Sequence, residues 1–226
     1  APVAGALPIN GAQQTLNSTL TLGSVTTNIS AFDPNGNQSK NIGDTGIKFT
    51  GARFTAGSAE DLKLYSVRFR QAGSVSSTDL ANVIINVNGT DYPAMWSVDG
   101  KYATAIFAGG VMIPKGNSVD VYIKGDIVGS NVANRNIEFD IDKLTDVYFV
   151  GQLYGYGVMP TNGSGTLNAG GLATASNHAT NITATQPWFQ GSTFQLTGAS
   201  VTSGLNANEV AAQTGAVHVS NQVLGG

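Results

Sequence analysis

The chain offers oxygen ligands before it offers any nucleophile. In Asp33-Pro34-Asn35-Gly36-Asn37, side-chain oxygens stand at alternate positions. A hard cation such as calcium takes about six to eight oxygens, and a D-x-N-x-N loop can supply several. Asp33, Asn35 and Asn37 are therefore the candidate metal ligands, with calcium as the candidate cofactor. No glutamate closes the loop, and Asp44 is only an approximate substitute. The same residues would also build an Asx-rich turn, because Asp and Asn side chains bond their own backbone there. Asp140, Asp142 and Asp146 form a second acidic group. Asp140 and Asp142 share one strand face, which suits an ion or a solvated surface.

Catalytic constellations are missing. The two histidines, His178 and His218, adjoin no recognisable nucleophile motif. The glutamates are Glu60, Glu138 and Glu209, and none is placed as a carboxylate pair for glycoside hydrolysis. With no cysteine, disulfides, thiolate catalysis and Cys-ligated zinc are excluded. The expectation is a protein without enzymatic activity. Six Asn-x-Ser/Thr sequons, at Asn17, Asn28, Asn37, Asn88, Asn162 and Asn181, are glycosylation candidates. Trp96 is in phase with Tyr92 and Val98 and reads as core, while Tyr154, Tyr156 and Trp188 read as subunit or glycan contacts.

Composition narrows the partners. Only 11% of the 226 residues are charged, the net charge is −3, and there is no basic stripe. Nucleic acid is thus not an expected partner. No apolar run is long enough to span a membrane as a helix. The 29 glycines and the abundant Ser, Thr and Asn do not signal disorder, because 41% of residues are apolar and lie in alternating runs.

Those runs have the period of strands. Val83, Ile85 and Val87 lead to Asn88-Gly89, and Tyr92, Ala94, Trp96 and Val98 lead to Asp99-Gly100, both hairpin signals. Pro93 predicts an edge strand or a bulge. Leu62 and Leu64 share one phase, while Val67 and Phe69 share the other, which predicts a bulge or a strand that changes sheet. Ile137, Phe139 and Ile141 are expected inside, with Glu138, Asp140 and Asp142 outside. Eight to ten short strands with frequent turns predict an all-β, antiparallel sandwich of immunoglobulin type.

The chain also repeats its own opening. Ser18-Thr19-Leu20-Thr21-Leu22 returns as Ser192-Thr193-Phe194-Gln195-Leu196, and each copy runs on to an Asn-rich turn. A repeat at this distance is a whole domain. The expected division is an N-terminal arm or linker (1–17), a sandwich (18–160), a Gly/Asn/Thr-rich connector (161–191) and a partial second sandwich or donor strand (192–226).

Glu60-Asp61-Leu62-Lys63-Leu64-Tyr65-Ser66-Val67-Arg68-Phe69, Asp79 to Ile85 and Ile113 to Ile127 resemble strands of tandem Ig-like repeats. Such repeats build large S-layer-like and other extracellular surface proteins of bacteria. The resemblance implies an extracellular, structural role and carries no catalytic residues. The expectation is a subunit of an S-layer, sheath or filament that pairs with copies of itself through edge strands. A cell-surface adhesion or glycan-binding module, and an accessory domain of a secreted enzyme, are the alternatives.

Overall fold

The structure, a computed structural model, describes residues 19–129, 133–162 and 187–198. Its strands are β1 (Val25–Ile29), β2 (Gln38–Asn41), β3 (Ile47–Ala56), β4 (Leu62–Gln71), β5 (Leu80–Val87), β6 (Thr90–Pro93), β7 (Met95–Trp96), β8 (Tyr102–Ile113), β9 (Ser118–Ile127), β10 (Asn136–Ile137), β11 (Phe139–Asp140), β12 (Val147–Gly151), β13 (Gly157–Val158), β14 (Pro160–Asn162) and β15 (Phe194–Thr197). One sheet runs β14-β1-β3-β9-β5-β6. A second runs β13-β12-β4-β8-β7, with β11 paired to the end of β4. The expected β-sandwich is what these sheets form. Aromatic side chains link them: Phe54 meets Phe149 at 5.2 Å, and Tyr92 meets Phe107 at 4.6 Å, both edge-on.

Local signals map onto this frame. Asn88 and Gly89 both take positive φ, +49° and +91°, and join Val87 to Thr90 in a two-residue hairpin. Pro93 ends edge strand β6, where its missing N–H costs no ladder bond, and the chain then crosses into the other sheet at β7. The phase slip in β4 is a bulge between Leu64 and Ser66, so Leu62, Leu64, Val67 and Phe69 all reach the core. At Asp99-Gly100 the loop is longer than a two-residue turn. Ser97 pairs back to Tyr102 and Val98 stands fully in solvent.

Glu60 shows why the Glu-Asp pair sits where it does. Its buried carboxylate accepts from Gly23 N at 2.7 Å and from Leu153 N at 2.8 Å. Asp61 Oδ1 accepts from Lys115 N at 2.8 Å. Two adjacent acids thus tie three loops at one end of the sandwich. We expect Glu60→Ala to cost about 2–4 kcal/mol, because it strands two N–H donors in a closed space. Urea unfolding of the variant measures this. A loss under about 0.5 kcal/mol would show that water replaces the carboxylate.

The third sheet departs from the expected domain division. It has the order β10-β15-β2, with β15 antiparallel to β10 and parallel to β2. Phe194 and Leu196 are buried in the same core as Phe49 and Phe139. The boundary at 191/192 is therefore no seam: residues 187–198 complete the first sandwich instead of opening another. The two copies of the repeat also differ in state. Thr19 to Gly23 forms no strand, and Leu22 is 43% exposed. The likeness lies in alternation, and only the second copy has strands on both sides to pair with. The arm at 1–17, most of the connector, and residues 199–226 lie outside the described residues.

Candidate functional site

Asp33 is buried, and both its oxygens are taken by backbone donors. Asn35 N donates to Oδ1 at 2.7 Å and Gly51 N to Oδ2 at 2.8 Å. Burial raises its pKa, and the N–H groups of Gly51 and Asn35 pull in the opposite direction. Asn35 holds φ at +52°, as an Asx turn allows. Asn37 Oδ1 accepts from Thr193 N at 3.3 Å, and Gly36 N donates to Ser192 Oγ at 3.1 Å. Donor hydrogens pointing at these oxygens put positive charge where a cation would sit. The residues expected to ligate calcium do not fit it; they clasp residues 192–193. Among the described residues, no three acidic or histidine side chains converge as a metal cluster. The expected result is a melting temperature unchanged by EDTA or by added calcium. A rise of several degrees with calcium would restore the loop as a metal site.

The second acidic group faces the same segment. Glu138 Oε1 accepts from Gln190 Nε2 at 3.1 Å, and Oε2 accepts from Thr193 Oγ1 at 2.6 Å. Asp140, expected on a solvated face, is buried because residues 189–191 cover it. Gly191 N donates to its Oδ1 at 2.9 Å, and Arg70 Nη2 lies 3.5 Å from its Oδ2. Burial and the neighbouring Glu138 charge push its pKa up to about 7. Gly191 is required there, since a Cβ would lie 2.0 Å from Phe139 O. Phe189 exchanges two backbone bonds with Ile141, and Trp188 N donates to Asp142 O. Asp146 is buried too and binds Arg68.

Other expected contact residues divide. Trp188 is 1% exposed and belongs to the core, so it offers no surface for a subunit or glycan. Tyr154 and Tyr156 are exposed in the turn after β12. Trp96 is half-buried and packs towards Phe139, as expected. Among the sequons, Asn88 and Asn37 are exposed and Asn28 is half-buried on β1. Asn162 lies in β14, and Asn17 and Asn181 lie outside the described residues.

What the periodicity analysis missed is the outer face of the β4–β8–β12 sheet. Ile106 stands between buried Ala105 and Phe107, and Tyr148 between buried Val147 and Phe149, so both point outward. Ser66 pairs with both, which puts them in one cross-strand row. Ile106 is 63% exposed and Tyr148 51%. Tyr65 lies against Tyr148 with ring centroids 6.0 Å apart. Met95, opposite Thr104, and Met112, opposite Lys63, are also exposed, and Arg68 and Lys63 stand in the same cross-strand rows as they do. The missed signal is Tyr65, Ile106 and Tyr148 in the polar phase of their strands.

Sheet edges offer less. β7 and β13 have two residues each, β14 begins at Pro160, and β6 ends at Pro93. Short, proline-marked edges resist strand addition. Among the described residues, no helix is long and apolar enough to cross a membrane.

No family model matches the chain. No curated protein matches it in sequence. Among solved structures, the seventh ScaB type I cohesin from Pseudobacteroides cellulosolvens is similar at 9% identity and a TM-score of 0.35, over 82% of this chain and 98% of that one. A family 123 glycoside hydrolase from Clostridium perfringens is similar at 12% and 0.30, over 63% and 27%. BslA, a bacterial hydrophobin, is similar at 11% and 0.25, over 66% and 100%. At these identities and scores, none of the three bears on what this chain does.

Proposed function

We propose that the chain is a structural module of an extracellular assembly, whose copies pack through the outer face of the β4–β8–β12 sheet. The observation that carries this reading is the row of Ile106 and Tyr148, flanked by Tyr65, Met95 and Met112. Apolar side chains grouped on an open sheet face favour burial against another surface. A chain with 11% charged residues meets little repulsion when copies approach. Face packing also accounts for an assembly whose sheet edges are short.

The test is Ile106→Asp in the full chain. Its side chain is exposed, so stability should change by less than about 0.5 kcal/mol. Association read by sedimentation velocity and electron microscopy should fall at least tenfold. A variant that associates like the wild type, or a wild type that stays monomeric when concentrated, would overturn the reading.

A second reading, a glycan-binding surface module, draws on Tyr154 and Tyr156, which stand exposed in one turn. Binding on a glycan array that is lost in a Tyr154→Ala, Tyr156→Ala double variant would favour it.

A further inference from the structure

We infer that the groove between β2 and the start of β3 is a binding site for an acidic saccharide, with a uronic acid ring as the unit it takes. The groove holds about 290 Å³. Phe32, Ile47 and Phe194 give it apolar walls, and Gln38, Lys40 and Lys48 supply its polar groups. Lys48 is its centre. The Lys48 ammonium lies 4.5 Å from the centre of the Phe32 ring and 5.2 Å from that of Tyr122. The two rings are themselves 4.8 Å apart. Their faces hold the cation in place and leave its N–H donors for an oxygen. Gly51 lets Phe32 take this position: a Cβ there would lie 3.0 Å from Asp33 N and 3.3 Å from Phe32 C. The Asx turn at Asp33, unsuited to a metal ion, thus sets the aromatic wall.

The charge in the groove is uncompensated. Among the described residues, neither Lys40 nor Lys48 forms an ion pair. Lys48 also stands opposite Lys124 in the β3–β9 register. Like charges in facing positions cost stability. Asp91 neutralises Lys124 at 2.8 Å, and no described acid does the same for Lys48. The nearby acids are engaged elsewhere. Asp126 accepts from Gly46 N at 2.7 Å and from Asn82 Nδ2 at 2.6 Å, and Asp44 accepts from Asn41 N at 2.9 Å. Asp33 is closed by Asn35 N and Gly51 N. The groove therefore calls for an anion, and one with a flat apolar side to lie against Phe32. A uronic acid has both: a carboxylate on the ring edge, and axial C–H bonds across the ring face. Its hydroxyls suit the Gln38 amide, which both donates and accepts. An acidic peptide brings the charge without the flat face. β3 belongs to the sheet opposite the β4–β8–β12 face, so this site is independent of how copies pack.

The test is calorimetric titration of the full-length chain with an oligomer of galacturonic acid and, separately, with the same oligomer methyl-esterified to zero charge. The acid form should bind, and the neutral form should bind at least about tenfold more weakly, because it loses the bonds to the ammonium groups. Lys48→Met and Lys40→Met should each weaken the acid form by about tenfold. Lys115→Met, beside the opposite end of β3, should leave it unchanged. Salt near about 1 M, where charges are screened within ~3 Å, should suppress the binding. Lys48 is exposed, so its variant should fold, which a melting curve checks. If it does not, Lys40→Met makes the same decision. An acid oligomer that does not bind would overturn the inference, and so would equal binding of the two oligomers or a folded Lys48→Met that binds like the wild type. Equal affinity for a poly-aspartate peptide would overturn it too, because charge alone would then account for the binding.

Discussion

Phe194→Ala is expected to cost about 3–5 kcal/mol, the largest effect of any single truncation we predict. Its ring is buried, lies edge-on to Phe49, and comes from a strand that the sequence repeat assigns to another domain. Truncation removes the ring and leaves a void that β2 and β10 cannot close, because Gly191 is fixed against Phe139 O and the Asp33 turn holds Ser192. Gln195, next in sequence, points outward, so Gln195→Ala should shift stability by less than about 0.5 kcal/mol. Denaturant midpoints for the two variants and the wild type make the comparison. A Phe194→Ala loss below about 1 kcal/mol would mean that β15 is not part of the core.

The contrast between Phe194 and Asn88 shows which features were legible in the sequence. Asn88-Gly89 acts over four residues, and its positive φ requirement is local, so the hairpin could be read directly. The β4 bulge was visible for the same reason, as a phase change within one run. β15 was not. Phe194 and Leu196 alternate as any half-buried strand does, and alternation does not name the partner. Its partners β2 and β10 are short, β2 is polar in sequence, and β2 is remote. The repeat then pointed to a wrong equivalence, because Leu20 and Leu22 share the spacing without sharing the neighbours.

Site residues failed in the same direction. Asp33 read as a calcium ligand or turn residue and Asp140 as facing an ion or solvent, yet both, like Glu60, are buried against backbone N–H groups. Strand phase gave the side on which Asp140 leaves its strand. It could not show that residues 189–191 return to cover that side. The donors that neutralise these acids come from loops, whose paths periodicity does not report. The exposed row at Ile106 and Tyr148 is the converse case: apolar residues stand in the polar phase of their strands.

Stability should decline from pH 5 to pH 8, and Asp140 should cause most of the decline. Its folded pKa is raised to about 7 by burial first and by Glu138 second, against the pull of Gly191 N and Arg70. An unfolded aspartate titrates near ~3.9. Between those values the native state holds a proton that the unfolded chain has released, so stability falls as pH rises. The contribution is complete below about pH 4 and is lost as pH passes through about 7, with a ceiling of roughly 1.4 kcal/mol per pH unit. Asp33, also raised by burial, acts in the same direction. Asp120 acts oppositely: burial works against its charge, but the bonds from Arg53 and Ser30 outweigh it and hold its pKa low. Its contribution is present above the usual carboxylate range and lost only in stronger acid. The groups facing Asp140 are Gly191 N, Glu138 and Arg70, and Arg70 also lies 3.5 Å from Asp142. Asp140→Asn keeps an oxygen for Gly191 N and removes the titration, while Asp142 retains Arg70. The variant should match the wild type within about 1 kcal/mol at pH 5 and exceed it at pH 8. Melting curves across that range decide the matter. A wild-type profile that is flat, or an Asp140→Asn profile with the same slope, would place the titrating group elsewhere. The polar rim that secures residues 187–197 should therefore be firmest in mild acid and loosen towards alkaline pH.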